Sequence, residues 1–483
     1  MSQSSVTSTA ALESILDSSR VLVDPAALAT YAIDGLLPVT VAKPASAEEA
    51  AEVIRFAAKE KLSVVPAGAR TKISIGARPT RYDIALDMCA LNQIAHYDPA
   101  DLTVSADAGM PVAKLNAALY ERRQFLPLLV PYYWQATLGG VIASGMDSPL
   151  RQAYGTARDF LLGAEFIDGT GALVKSGGRV VKNVAGYDLH KLLIGSLGTL
   201  AVITRLNFRT FPVSIDGSRG FLASFSTHET ALAARCKIAT SSLSPLTLDV
   251  INPGAAKIFA SRTPATPQVT GFTRDTHRTA ENQLPLPGEW FRANEWQLCA
   301  AFAGPSEVVS RYVRDLTCIA EQSRASAIAV LDDTTRPPIW GRLREALSLF
   351  REVSPLAAIF KLNIPPARHA QAITVLESVA NAAKLPLALI ARAAGTLYIA
   401  LLPENALDFS AETLSLLALE VFSLGRSLDG RASLLFAPSA IKPALESTLN
   451  SDPHSDLSLM RRVKSAFDPQ HIFAPDRLFL DPL

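Results

Sequence analysis

Cysteine is scarce in this 483-residue chain. Cys89, Cys236, Cys299 and Cys318 are the only four, and no two form a CxxC pair. That excludes a disulfide framework and an iron–sulfur cluster held by this chain alone. The four thiols read as core or near-core residues of a cytosolic protein. An excess of one charge sign is also missing. Lys and Arg number 46 against 45 Asp and Glu, a net charge of +1, which argues against nucleic acid or an anionic membrane as the main partner. No run of 18 apolar residues occurs, so no transmembrane helix is expected. The start, MSQSSVTSTAALESILDSS, lacks a basic stretch followed by an apolar core and reads as a frayed lead-in rather than a signal peptide. Seven histidines are present and none lies within four residues of another, so local spacing shows no metal site.

What is present is a large core. Apolar residues make up 49% of the chain and charged residues 19%, a balance that fits a globular protein of two or three domains. Residues 38–66 predict a strand, a helix capped by Ser46 with Glu48 and Glu49 in its first turn, and a second strand. That is βαβ spacing with the strand direction left open. Strands are expected near Tyr82–Leu86 and Leu102–Ala108, and a helix over Val112–Arg122. From Phe221 the pattern changes to repeated strand–helix–strand units, among them Trp296–Phe302, Ser306–Ser323 and Ala327–Leu331. Ala358–Ile364, Pro366–Ala382 and Leu387–Ile390 follow, then a strand over Thr396–Leu402. This predicts an antiparallel sheet with helices on one face. Residues 252–294 show no period and read as an irregular insertion.

The densest signal is glycine between Thr137 and Thr204, where Gly clusters sit wherever two apolar segments meet. Glycine admits φ > 0 and lets a ligand approach the main chain. Loops of this kind aim N–H groups at an anion such as a pyrophosphate. Several clusters in so short a span point to one long, phosphate-bearing ligand.

Four segments carry a resemblance: PAGARTKISIG (66–76), ATLGG (136–140), YGTARDFLLG (154–163) and KNVAGYDLHKLLIGSLGTLAVIT (182–204). Together they resemble the FAD-binding domain of vanillyl-alcohol-oxidase-like (PCMH-type) flavoproteins. GGRVVKNVAGYDLHKLLIGSLGTL is similar to the E-type, FAD-binding subunit of bacterial glycolate oxidase, and the tail FDPQHIFAPDR resembles the ending of the same group. Two departures are visible. Ala67-Gly68-Ala69-Arg70 is poorer in glycine than the usual first loop, and Ala474-Pro475-Asp476-Arg477 stands where Asn-Pro-Gly-Arg is usual.

The resemblance implies an α+β fold: a two-subdomain FAD-binding domain over 1–213, a ferredoxin-like cap over 214–465, and a last segment, 466–483, returning to the FAD domain. It implies FAD as cofactor, with Ala67, Gly68, Ala69, Arg70 and Thr71 around the pyrophosphate. Thr137, Leu138, Gly139, Gly140, Ser144 and Gly145 would let the dinucleotide pass, and Gly155, Arg158 and Asp159 would form a turn beneath it. Gly198 and Thr199 would precede a strand whose Val202 and Ile203 meet the adenine end through main chain. Lys182 and Tyr187 either face the flavin ring or stabilise a loop. Covalent members attach flavin through His or Cys near the first two loops. Residues 66–76 and 126–146 contain neither, so non-covalent FAD is expected.

The related D-type subunits carry paired histidines beside the substrate, where this chain has ALIARAAGTLYIAL (388–401) with none. Arg342, Arg344 and Lys361 remain as candidates for holding a carboxylate. The expected function is an FAD subunit of a glycolate-oxidising complex, cytoplasmic, relaying electrons between a catalytic flavin subunit and an iron–sulfur subunit. A small 2-hydroxy acid is the expected substrate, and peripheral membrane association would come through the partners. The alternatives are a self-sufficient 2-hydroxy-acid dehydrogenase and a structural subunit without flavin.

Overall fold

The computed structural model describes residues 3–179, 186–213, 217–262, 290–332, 336–404, 411–443 and 457–478. The first sheet has four strands. Thr40–Ala42 and Val64–Ala67 both lie parallel to Ile84–Asp87, which runs between them, and Val21–Leu22 adds an antiparallel edge. The helix Ala47–Glu60 makes the crossover. Its start is fixed by Ser46 Oγ, which accepts from Glu49 N at 3.1 Å, and by Glu49 Oε2, which accepts from Ala45 N at 2.7 Å. Lys61 ends it in the left-handed region at φ 55°.

A second sheet of five antiparallel strands follows, in the order Ile94–Asp98, Thr103–Asp107, Val202–Arg209, Leu161–Ile167 and Leu173–Gly177. The chain end closes onto the first sheet: Val64 N donates to Ile472 O at 2.7 Å and Ala474 N to Val64 O at 2.9 Å. Lys464 fixes that segment by donating to Thr199 O at 2.7 Å and Phe473 O at 2.9 Å.

The remainder is built on one eight-stranded antiparallel sheet. Its strands fall into two βαββαβ units. The first uses Ser218–Phe225, Thr247–Ile251, Trp296–Ala303 and Ala327–Leu331; the second uses Ala358–Asn363, Leu387–Arg392, Thr396–Leu401 and Arg431–Phe436. Each has the spatial order fourth, first, third, second, which is the ferredoxin-like arrangement. The ferredoxin-like cap is therefore built from a pair of such units. They are joined where the second strand of each pairs with the other, Asp249 opposite Arg392.

Alternation along these strands sends side chains to two faces. Phe221, Ala223, Phe225, Phe360 and Leu362 pack under the four long helices His228–Ala239, Ser306–Gln322, His369–Ala382 and Ala411–Ser427. Each fully buried Phe or Leu contributes about 1.5–3 kcal/mol. Leu222, Cys299, Ile359, Ile390 and Tyr398 face the other way. There they share a core with the short helices Pro253–Ser261, Arg336–Arg344 and Ala346–Val353 and with Leu138, Phe160 and Leu206 of the N-terminal half. Helices thus lie on both faces, where one was expected. Between the two units the chain forms two helices, Arg336–Arg344 and Ala346–Val353, broken at Glu345. Most of the 252–294 segment lies outside the described residues. Of the four thiols, Cys299 is buried, Cys89 half-buried, and Cys236 and Cys318 are exposed. Among the described residues no helix is long and apolar enough to cross a membrane.

Candidate functional site

A cleft lies between the two N-terminal sheets. One wall is the loop after strand Val64–Ala67. The N–H groups of Gly68, Ala69, Arg70, Thr71 and Lys72 have no hydrogen-bond partner among the described residues. Arg70 is in the left-handed region at φ 61°. A run of unpaired N–H groups around a left-handed residue forms an anion-binding concavity.

The facing wall is the helix Leu138–Ser144. Thr137 caps it, its Oγ1 accepting from Gly140 N at 3.3 Å. The walls meet without room for side chains. A Cβ on Gly68 would sit 2.1 Å from Thr137 Oγ1, and one on Gly139 would sit 2.9 Å from Ala108 Cβ. The floor is Leu197, Gly198, Ala201 and Ile203, and Arg477 comes in from the chain end.

The cleft is cationic. Arg70 stacks over the Tyr31 ring at 4.2 Å and lies 3.6 Å from Asp87, which accepts from Tyr31 Oη at 2.5 Å. Arg477 donates to Ile73 O and Ile75 O, both at 2.5 Å, and so shapes the loop. Burial draws its guanidinium down to about 10. Lys72 is buried and donates to Pro131 O at 2.8 Å. Burial lowers its ammonium to about 7, against a weaker pull upward from Glu345.

Eleven of the residues expected to touch the cofactor line this cleft: Ala67, Gly68, Ala69, Arg70, Thr71, Thr137, Gly139, Gly140, Ser144, Gly198 and Ile203. The other seven line no part of it. Leu138 and Val202 are core residues. Gly145 ends the helix in the left-handed region. Thr199 is buried, its Oγ1 donating to Ser196 O at 2.7 Å. Gly155, Arg158 and Asp159 belong to a turn that Asp159 fixes through Thr156, accepting from its N at 2.6 Å and its Oγ1 at 2.9 Å. Arg158 is exposed. Tyr187 is 90% exposed, and Lys182 lies outside the described residues.

Lys72, Met88, Ala108, Ala143, Leu197, Ala201 and Arg477 line the cleft without having been expected there. Lys72 had a signal, since it lies within the 66–76 motif. Of the expected carboxylate holders, Arg342 donates to Phe259 O at 2.7 Å and Arg262 O at 2.9 Å and so binds backbone. Lys361 is paired with Asp147 at 2.7 Å. Among the described residues no group of three His, Cys, Asp or Glu could hold a metal ion.

The described lining fits a dinucleotide: unpaired N–H groups, glycines in contact with the opposite wall, and three cations. It contains neither histidine nor cysteine.

Comparison with known proteins places this geometry. Residues 38–177 match the family model for the FAD binding domain, and residues 218–400 and 447–478 match the model for the C-terminal domain of FAD linked oxidases. The chain is 39% identical over 162 residues to the glycolate oxidase subunit GlcE of Escherichia coli K12, covering 33% of this chain and 46% of that one. It is 23% identical over 448 residues to the glycolate oxidase subunit GlcD of Bacillus subtilis 168, covering 92% of this chain and 89% of that one. A D-lactate dehydrogenase of Archaeoglobus fulgidus is 32% identical over 45% of this chain and 48% of its own length. Among solved structures, p-cresol methylhydroxylase with substrate bound shares the fold at a TM-score of 0.74 and 15% identity, over 100% of this chain and 98% of that one. The chain belongs to the FAD-linked oxidases and is an FAD-dependent flavoprotein oxidoreductase.

Proposed function

We propose that the cleft holds FAD without a covalent bond, and that the chain is the FAD subunit of an assembly oxidising glycolate or a similar small 2-hydroxy acid. The observation that carries this reading is the Gly68–Lys72 loop, with unpaired N–H groups and a glycine pressed against Thr137. The pyrophosphate takes those donors, with Arg70 and Lys72 supplying positive charge. Met88, Ala108, Ala143 and Ile203 provide apolar surface for the rings. When bound, FAD supplies two-electron acceptor chemistry; the chain supplies position, charge and exclusion of water.

The role of subunit is supported by the similarity to GlcE over 162 residues and by the lack of a histidine pair in 388–401. Abstracting hydride from a hydroxy acid needs a positioned base for the hydroxyl proton. A catalytic flavin subunit provides that base in this reading, and an iron–sulfur subunit accepts the electrons.

Two measurements test it. Acid precipitation of the purified chain should release yellow FAD into the supernatant, and colour left in the pellet rules out non-covalent binding. A tagged chain purified from its own cells should bring down a second flavoprotein and an iron–sulfur protein. A flavin-loaded chain that purifies alone under mild conditions refutes the assembly.

A further inference from the structure

Lys72 meets the cap through a single peptide unit. Its Nζ donates to Pro131 O at 2.8 Å, and the N–H of the same peptide, on Tyr132, donates to Glu345 Oε2 at 2.6 Å. Lys72 lines the cofactor cleft; Glu345 sits at the break between the cap helices Arg336–Arg344 and Ala346–Val353. Both are buried, at 8% and 1% exposure. A trans amide points its C=O and N–H in opposite directions. The negative end of this peptide therefore meets the ammonium and its positive end meets the carboxylate. Linked hydrogen bonds of this kind polarise one another in a low-dielectric interior.

The bridge depends on a backbone conformation that a tyrosine rarely takes. Tyr132 is in the left-handed region at φ 59°. Such a conformation persists only where its surroundings impose it. Glu345 imposes it from the cap side, accepting also from Tyr133 N at 3.3 Å. Tyr132 O accepts from Gln135 N at 3.0 Å and Ala136 N at 2.8 Å, which closes the turn before Thr137. Thr137 is the residue that Gly68 presses against. One cap carboxylate thus reaches both walls of the cleft without lining it.

Charge gives the contact its use. A pyrophosphate is an anion, so the cations that hold it must stay protonated. Burial works against the charge on Lys72, and Glu345 works for it. The other groups that face Lys72 directly carry no negative charge: Thr71 Oγ1 lies at 3.3 Å and the Tyr132 ring at 5.6 Å, its phenol raised by burial. Behind them, Arg351 donates to the Tyr132 phenol at 2.9 Å, Glu352 acts on the same phenol, and Arg344 pairs with Glu345 at 3.0 Å. Arg70 and Arg477 share the cleft lining.

We infer that Glu345 is a positioning residue for the cofactor: through the Pro131–Tyr132 peptide it holds the Lys72 ammonium in the cleft, so that the cap sets how tightly FAD is bound. The inference rests on the placement of the pyrophosphate at the Gly68–Lys72 loop proposed above.

The test reads flavin release rather than turnover. The flavin-loaded chain is diluted at a series of pH values, and freed FAD is followed by its fluorescence. Release from wild type should rise above about pH 7, where the emptied cleft lets Lys72 lose its proton. Glu345→Gln keeps an acceptor oxygen but not the charge. It should match wild type at lower pH and show a dissociation constant about tenfold higher above it, the size of one charge-assisted hydrogen bond. Lys72→Met should flatten the profile, and adding Glu345→Gln to it should change nothing further. Equal weakening by Glu345→Gln at every pH, the same weakening in the Lys72→Met background, or no weakening at all overturns the inference. If Glu345→Gln does not fold, Glu345→Asp carries the test. It keeps the charge but shortens the reach, so a smaller loss is expected in the same pH range, and wild-type release there overturns the inference. A flat wild-type profile matched by Lys72→Met sinks the pyrophosphate placement and the inference with it. A wild type that releases no flavin at any pH fails only the non-covalent reading. The pH profile of urea unfolding then decides: Glu345→Gln should start the Lys72-dependent climb at lower pH, and an unmoved profile overturns the inference.

Discussion

Arg392 and Asp249 face each other across the seam between the two ferredoxin-like units, as register partners on antiparallel strands with Nη1 to Oδ2 at 3.3 Å. Both are almost wholly buried, at 6% and 2% exposure. Removing one member of such a pair leaves a buried charge uncompensated. Asp249→Asn is therefore expected to destabilise the chain by about 3–5 kcal/mol in urea unfolding, and the double variant Asp249→Asn with Arg392→Met to recover much of that loss. Equal stability of wild type and Asp249→Asn would show that the pair does not hold the seam.

The contact of Gly68 with Thr137 gives a second expectation. In Gly68→Ala the new methyl group must displace the Thr137 hydroxyl, at 2.1 Å in the present geometry, or push the walls apart. Overpacking of this kind costs about 1–3 kcal/mol. Flavin content per chain should fall together with Tm. Adding Thr137→Ala should restore part of the flavin content, although the lost helix cap costs about 1 kcal/mol. Full flavin occupancy in Gly68→Ala would mean that the cofactor does not need the two walls in contact.

Lys72 predicts a pH dependence of stability. Its amine titrates near 7 when folded, because burial penalises the charge, and near 10.5 when unfolded. Between those values the unfolded chain binds more protons, so stability rises with pH. The destabilising contribution is fully present below about pH 7 and disappears as pH approaches the unfolded value. In the flavin-free chain, where no bound anion holds the proton on, stability should climb by the order of a few kcal/mol across this window. Lys72→Met should flatten the climb. Parallel curves for the two proteins would exclude Lys72 as its source.

The chain alone should oxidise glycolate poorly. Arg344 is paired with Glu345 and Arg392 with Asp249, and a guanidinium is in any case a poor base. Missing general-base help typically costs about 10²–10⁴-fold in rate. Stopped-flow mixing of the flavin-loaded chain with glycolate, without air, should show reduction well below about 1 s⁻¹, a typical lower bound for turnover. Faster bleaching would reveal a base that the cleft lining, without histidine, does not suggest.

Local pattern was legible without the fold. The strand at Ala327–Leu331 runs between the residues expected of it, and the helix after Ser46 starts where its capping chemistry places it. Both depend on neighbours in sequence, through side-chain period and a cap three residues away. The motifs holding Gly68, Gly139, Gly140 and Gly198 marked loops of the cleft for the same reason, since a close approach must be written into the chain as a missing side chain.

Tertiary structure decided which residues of each motif face the ligand and which distant ones join them. Arg342 and Arg344 are two apart on a helix, about 200° around its axis; one binds backbone carbonyls and the other pairs with Glu345. Arg477 reaches the first loop from the chain end, donating to Ile73 and Ile75, which no spacing rule connects to it. Arg392 and Tyr398 share a face because the hairpin between them folds the two strands into one register. The sequence by itself determined the elements, the glycine loops and the class of cofactor, since these are set by short-range pattern. The pairing of Asp249 with Arg392 arose only when two ferredoxin-like units docked, because burial and charge balance belong to the assembled core and not to any segment of it.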